Sequence, residues 1–115
     1  MTTQPATIPS PTIAELAAEA RRNARIACAK THAAAIALEF IAPKPEHARA
    51  AYGAESYAIE QLQTLAVTLH RAAANHADRA TQDAPTNPAN AKAHADHAAR
   101  LSDCIQALAA AAKVL

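Results

Sequence analysis

The chain has 115 residues and a formal net charge of +1 at pH 7; alanine makes up about a third of it, and glycine occurs once. This charge balance creates no global field that would attract nucleic acid or anionic lipid, so nucleic acid is not an expected partner. No apolar stretch approaches the roughly 20 residues that a membrane-spanning helix needs, so no membrane association is expected.

The composition predicts an all-α fold. Alanine has the highest helix propensity, and the few β-branched residues never alternate with polar residues as they do in strands. The aromatic residues are Phe40, Tyr52 and Tyr57, so much of the core has to consist of alanine methyl groups. Each methyl group buries little area, and such a core stabilises a domain only modestly. We therefore expect a partner to contribute to stability.

The N-terminal segment, residues 1–10, contains two prolines and three threonines and is predicted to be a flexible tail. Residues 11–115 are predicted to form a single helical-bundle domain. The first residues lack a basic region followed by an apolar run, so no signal peptide is indicated. Together with two cysteines, which we expect to be free thiols, this favours a cytoplasmic protein.

The first helix is predicted to run from Pro11 to Ile41. Ser10 before Pro11 gives an N-cap followed by proline at the first helical position. Thr12 with Glu15 forms a competing capping box one turn later. The prolines at positions 43 and 45 prevent the helix from continuing.

The second helix is predicted from Pro45 to Thr81, with Gly53 as a kink or a break, and the third from Pro88 to Val114. Because the connections are short, the simplest architecture is an up-down-up bundle of three long alanine-rich helices, with dimerisation as a way of completing it. The inward face of the second helix is predicted to contain Ala51, Ala58, Leu62, Leu65, Leu69, Ala73, His76 and Ala80.

The first helix carries two apolar stripes, and packing against the other two helices of a three-helix bundle can bury only one of them. The first follows a heptad and is predicted to face the other helices; it comprises Ile13, Ala17, Ala20, Ala24, Ala27, Thr31, Ala34, Leu38 and Ile41. The second lies about 200° away and is predicted to bind a partner; it comprises Ile26, Ala29, Ala33, Ile36 and Phe40. A basic patch of Arg21, Arg22 and Arg25 is predicted to contribute to the same surface. The alternative is that these are ordinary exposed residues.

Three histidines are predicted to point inward at similar heights, namely His76, His94 and His97. Three imidazoles with an open fourth position are a recognised zinc arrangement, so zinc is the cofactor such a site would take. The alternative is that they hydrogen-bond to each other or to water. Cys28 and Cys104 also fall at similar heights, although a helical cysteine usually behaves as a small hydrophobe.

The stretch Arg71-Ala-Ala-Ala-Asn-His76 resembles the Arg-x4–6-His signature of HEPN-domain ribonucleases, which are small all-α bundles acting as dimers. The resemblance implies that Arg71 and His76 assist cleavage of an RNA linkage. The family usually carries a polar residue just after the arginine, whereas this chain has Ala72 there.

The sequence favours a small non-enzymatic bundle that works by binding another protein or a second copy of itself. It contains no Ser/His/Asp set, no paired catalytic carboxylates and no glycine-rich phosphate loop. Two alternatives use other residues: a HEPN-like ribonuclease with Arg71 and His76, and a metal-binding bundle with His76, His94 and His97.

Overall fold

The computed structural model describes residues 11–42 and 53–115. Within these ranges the chain forms three α-helices and no strand: α1 is Ile13–Leu38, α2 is Ala54–Asp83 and α3 is Pro88–Val114. Each helix packs against the other two, and α1 packs less extensively against α2 than against α3. The all-α prediction is confirmed for this part of the chain.

The capping box decides where α1 begins. The Thr12 side chain accepts a hydrogen bond from the backbone N–H of Glu15 at 3.1 Å, which satisfies one of the unpaired donors of the first turn. The helix therefore starts at Ile13 rather than at Pro11. It ends at Leu38, and the following residue, Glu39, keeps a right-handed helical backbone.

Gly53 is the N-cap of α2, so among the described residues it marks the start of this helix. The predicted beginning at Pro45 lies outside the described residues. At its other end α2 continues to Asp83, past the predicted end at Thr81.

A tight corner joins α2 to α3. The Asp83 carbonyl accepts the backbone N–H of Asn87 at 2.7 Å, and its side chain accepts the Asn90 amide at 2.6 Å. Asn87 then caps α3, accepting the backbone N–H of Asn90 at 3.3 Å, with Pro88 at the first helical position. The third helix therefore begins at Pro88, as the sequence predicts.

The buried contacts show that the three helices alternate in direction. At the corner Ala20 packs with Ala84 and Ala91, whereas at the far end Ala34 packs with Ala66 and Ile105. Residue numbers therefore rise away from the corner in α1 and α3 and toward it in α2.

Alanine dominates the space between the helices. The middle of the bundle is a cluster of buried alanines, two from each helix: Ala24, Ala27, Ala77, Ala80, Ala95 and Ala98. The larger apolar residues Leu38, Leu62, Leu69 and Leu108 are only partly buried at the margin of the far cluster. Alanine side chains permit helix axes to approach near the short end of the usual 8–10 Å range.

The heptad stripe of α1 is buried as predicted from Ala17 to Ile41, with Leu38 partly buried. Ile13 is an exception: it is 78% exposed, in the first turn of the helix.

The buried face of α2 differs from the predicted one. It consists of Ile59, Ala66, Ala73, Ala77 and Ala80, and the prediction that Leu65 faces inward is wrong because this residue is 47% exposed. The leucines indicated the approximate side of the helix, but the alanines occupy its centre.

Two polar side chains lie in this core without losing their hydrogen bonds. The Thr31 hydroxyl donates to the Ala27 carbonyl at 2.8 Å, and its oxygen lies 3.5 Å from that of Ser102. Their small volume suits the close approach of α1 and α3.

Within the described residues, none of the helices combines the length and the hydropathy that a membrane span requires.

We expect Ala98→Leu to lower the free energy of unfolding by about 1–3 kcal/mol, because the added methylene groups force the helices apart. Ala98 is fully buried, whereas Ala107 on the same helix is exposed. Ala107→Leu is the matched control and should change stability by less than about 0.5 kcal/mol. Urea unfolding measures both values. Equal stability of the two variants would contradict a tightly packed alanine seam.

Candidate functional site

The outer face of α1 exposes large apolar side chains. Ile26 and Ile36 are each 50% exposed and Phe40 is 46% exposed, while Ala29 and Ala33 between them are also exposed. We call these five residues the α1 outer face. Ile26, Ala29, Ala33 and Ile36 lie on one side of α1, and Phe40 follows in the turn just after the helix ends.

Geometry explains why this face is uncovered. The inward alanine stripe of α1 already contacts both α2 and α3, and the outer face lies on the other side of the same helix. The three described helices therefore cannot cover both stripes at once. Only an additional packing element would bury Ile26 and Ile36.

The C-terminal half of the α1 outer face continues into a groove of about 340 Å³ against α3. From α1 it is lined by Ala33, Ile36 and Phe40, and α3 contributes Ala110 and Lys113 among others. The apolar surface therefore spans two helices and has concave shape as well as area.

Charged side chains border this surface. Lys113 Nζ lies 4.5 Å from the centre of the Phe40 ring, a cation–π contact at the end of the groove. Lys30 pairs with Asp103 at 3.4 Å, which links α1 to α3 along one edge. Both partners of that ion pair are largely exposed, so it contributes little to stability and mainly sets charge at the edge.

The predicted basic patch adjoins the α1 outer face, because Arg21, Arg22 and Arg25 line one groove together with Ile26 and Ala29. Arg21, Arg22 and Arg25 are all exposed. Arg21 and Arg25 line a groove of about 310 Å³ between α1 and α2, together with Cys28 and other residues. Arg22 lies one turn before Ile26 and so extends the α1 outer face.

Both cysteines are exposed free thiols. Cys28 Sγ lies 3.8 Å from the Thr81 hydroxyl, on the side of α1 that faces α2. His32 is exposed and lines a groove between α1 and α2 with His70 and Asp78.

The three predicted histidines do come together between α2 and α3. His76 Nδ1 lies 2.8 Å from His94 Nδ1, and the ring centres are 5.1 Å apart. The His97 ring stands edge-on to that of His76, with centres 4.8 Å apart. His76 and His94 are half-buried, but His97 is exposed rather than inward.

Hydrogen bonding defines the chemistry of this histidine cluster. At 2.8 Å one ring of the His76–His94 pair carries the proton and the other accepts it, so at least one Nδ1 is unprotonated. Arg100 Nη2 donates to His97 Nδ1 at 2.7 Å. Burial lowers the pKa of His76 below its ordinary value of 6.5, and charge on His97 and His94 lowers it further.

The cluster meets the requirements of a zinc site only in part. Two imidazole nitrogens are close together, but His97 Nδ1 is occupied by a guanidinium, itself a cation. Among the residues that the structure describes, no three or more His, Cys, Asp or Glu side chains are arranged to hold a metal ion. Zinc binding by His76, His94 and His97 stays a prediction.

The residues of the ribonuclease-like stretch occupy different environments. Arg71 is exposed on α2, whereas His76, on the same helix, is half-buried and bonded to His94. Positions five apart on a helix differ by about 140° in direction, so the two side chains diverge.

We expect thermal stability to fall as the pH is lowered from about 7 to 5. Since the pKa of His76 is lower in the folded chain than its ordinary 6.5, the unfolded chain takes up a proton first. The stabilising contribution is therefore complete above pH 6.5 and is lost as the pH falls toward the folded-state pKa. Melting followed by circular dichroism measures the loss.

In the same experiment, His76→Gln should flatten the pH dependence of the melting temperature. His32→Gln, on the exposed side of α1, is the matched control and should leave it unchanged. A wild-type melting temperature that is constant from pH 7 to 5 would contradict the half-buried placement of His76.

Comparison with protein-family models, with curated proteins and with solved structures gives no match to this chain.

Proposed function

We propose that this chain is a small non-enzymatic helical-bundle protein that acts by binding another protein through the α1 outer face. One observation carries the proposal: Ile26, Ile36 and Phe40, each about half exposed, lie on one side of α1 and continue into a groove against α3. An adaptor, a chaperone-like role or an accessory role that inhibits a partner would each use such a face.

The arrangement of the exposed residues supports an interface over a scatter of surface side chains. Single exposed apolar residues are normal, but contiguous apolar patches with charged margins are typical of interaction sites. Here the patch is concave, and Lys113, Lys30 and Arg22 lie at its borders. Aromatic and large aliphatic side chains at the centre and charge at the rim are what protein interfaces share.

The alanine-rich core favours burial of the α1 outer face by a partner. Because alanine methyl groups fill most of the described interior, folding alone buries few large side chains; Ile41, Ile59 and Ile105 are the largest apolar ones that are fully buried. A partner on the α1 outer face would bury two isoleucines and a phenylalanine in one step. Association would then stabilise the folded bundle by mass action. We therefore propose that dimerisation or a partner completes the bundle.

The two alternative functions rest on fewer residues. A ribonuclease of the HEPN kind would need Arg71 and His76 to act on one linkage, and a metal protein would need His97 to turn from Arg100 toward His76 and His94. We expect no RNA cleavage by the purified chain. Cleavage that disappears in both Arg71→Ala and His76→Ala would establish the ribonuclease instead, as gel assays on labelled RNA would show.

Replacing both Ile26 and Ile36 with glutamate should weaken the chain's association by about a hundredfold or more, because two charges would enter an apolar contact without partners. Light scattering after size exclusion measures self-association. Binding to a protein identified by affinity capture is then titrated with the purified partner. Circular dichroism should show unchanged helix content, since both positions are solvent-exposed in the isolated chain.

The matched control carries the same number of new charges on another helix. Leu65→Glu with Val67→Glu changes two exposed apolar residues of α2 and should leave binding intact. If the Ile26/Ile36 variant and this control bind equally well, the α1 outer face is not the interface and the proposal is wrong.

A further inference from the structure

We propose that the occupant of the α1 outer face is a second copy of this chain, packed with its α1 antiparallel to the first about a two-fold axis near the height of Thr31. This inference rests on the proposed function, because it uses the same face. The inference goes beyond the proposed function because it names the partner and specifies the direction and the register in which the two α1 helices pack.

The spacing of the outer face fits a helix pair. Ile26, Ala29, Ala33, Ile36 and Phe40 follow one another at alternating steps of three and four, which is the a/d pattern of a coiled-coil seam. In an antiparallel pair each a residue meets a d residue of the other helix. One register then places Ile26 against Ile36 of the second copy and Ala29 against Ala33 of the second copy.

This register is complementary in size. The two small layers fall in the middle, beside the axis, and the two isoleucine layers close the contact on either side. Small residues at the centre allow the two α1 helices to approach closely, as the alanine seam does inside each bundle. The same patch serves both copies, as a two-fold interface requires.

Charge selects the antiparallel direction. Arg25 and Glu39 are exposed and flank the same edge of the outer face, two heptads apart. The antiparallel register brings Arg25 beside Glu39 of the second copy, and symmetry repeats the pair. A parallel arrangement would instead bring Arg25 beside Lys30 of the second copy, so it forms no pair of opposite charges at this edge. Opposite charges on such flanking positions determine partner and orientation in coiled coils.

The ends and the other edge of the contact are also consistent. Arg22, one turn before Ile26, falls opposite Phe40 of the second copy, and its guanidinium would stack on the ring face opposite Lys113 Nζ. On the other edge the two Lys30 side chains approach each other, but each is already paired with Asp103 at 3.4 Å. Their charges are therefore balanced within each copy.

Cross-linking tests the direction. In a Cys28→Ser/Cys104→Ser background, Ile26→Cys and Ile36→Cys are mixed and oxidised. The antiparallel register predicts a disulfide between the two variants. Ile26→Cys alone should cross-link poorly, because ten residues along the helix separate the two sulfurs by about 15 Å. Efficient self-linking of Ile26→Cys with no mixed product would overturn the proposal in favour of a parallel pair.

Charge exchange tests the register. Arg25→Glu and Glu39→Arg should each raise the dimer dissociation constant roughly tenfold, since each change breaks two symmetric pairs. The chain carrying both changes should recover wild-type affinity. Arg71→Glu on α2 is the matched control and should have no effect. Sedimentation equilibrium gives the constants. Failure of the double variant to recover would overturn this register.

The outcome separates this inference from the proposed function. A wild-type chain that stays monomeric at millimolar concentration overturns the second copy as occupant. The proposed function would then still stand if Ile26→Glu/Ile36→Glu abolishes binding to a purified protein partner, and it would fall if that variant binds the partner normally.

Discussion

The constraint on which this structure depends is that alanine methyl groups fill most of the space between its helices. Alanines from all three helices meet along the bundle, and in the middle cluster no larger side chain is buried among them. A seam of this kind gains stability from many close backbone and methyl contacts rather than from a few large side chains. It also allows a threonine and a serine to share the interior, since their hydroxyls are small enough to hydrogen-bond between touching helices.

The same constraint moves large apolar residues outward. Leucines that would form the centre of an ordinary bundle lie at the margins, and Leu65 is nearly half exposed. On α1 the displacement goes further, because two isoleucines and a phenylalanine lie on a side that no described helix covers. The interior and the proposed interface thus differ in composition: alanine methyl groups and three isoleucines fill the described interior, whereas Ile26, Ile36 and Phe40 are half exposed.

The histidine cluster adds a different kind of link between α2 and α3. His76 and His94 share a hydrogen bond across the two helices, and His97 is bound by Arg100 on its own helix. Because the His76–His94 bond needs an unprotonated nitrogen, this contact is strongest when the pair is not fully charged. The cluster therefore makes α2–α3 packing sensitive to proton concentration at a position far from the groove beside Phe40.

The sequence by itself determined the helical state, the Asn87-Pro88 start of α3 and the two stripes of α1, because these depend on local propensity and on a fixed helical period. It left two caps open for α1, and the structure selects Thr12. Tertiary structure decided which positions on the apolar side of α2 are fully buried. Ala73 and Ala80 were predicted to face inward, but the choice of Ala66 over Leu65 depends on packing against the neighbouring helices. Tertiary structure also decided the contacts of His97, whose exposed ring accepts a hydrogen bond from Arg100 and stands edge-on to His76, because helical periodicity does not fix the partners of an exposed side chain.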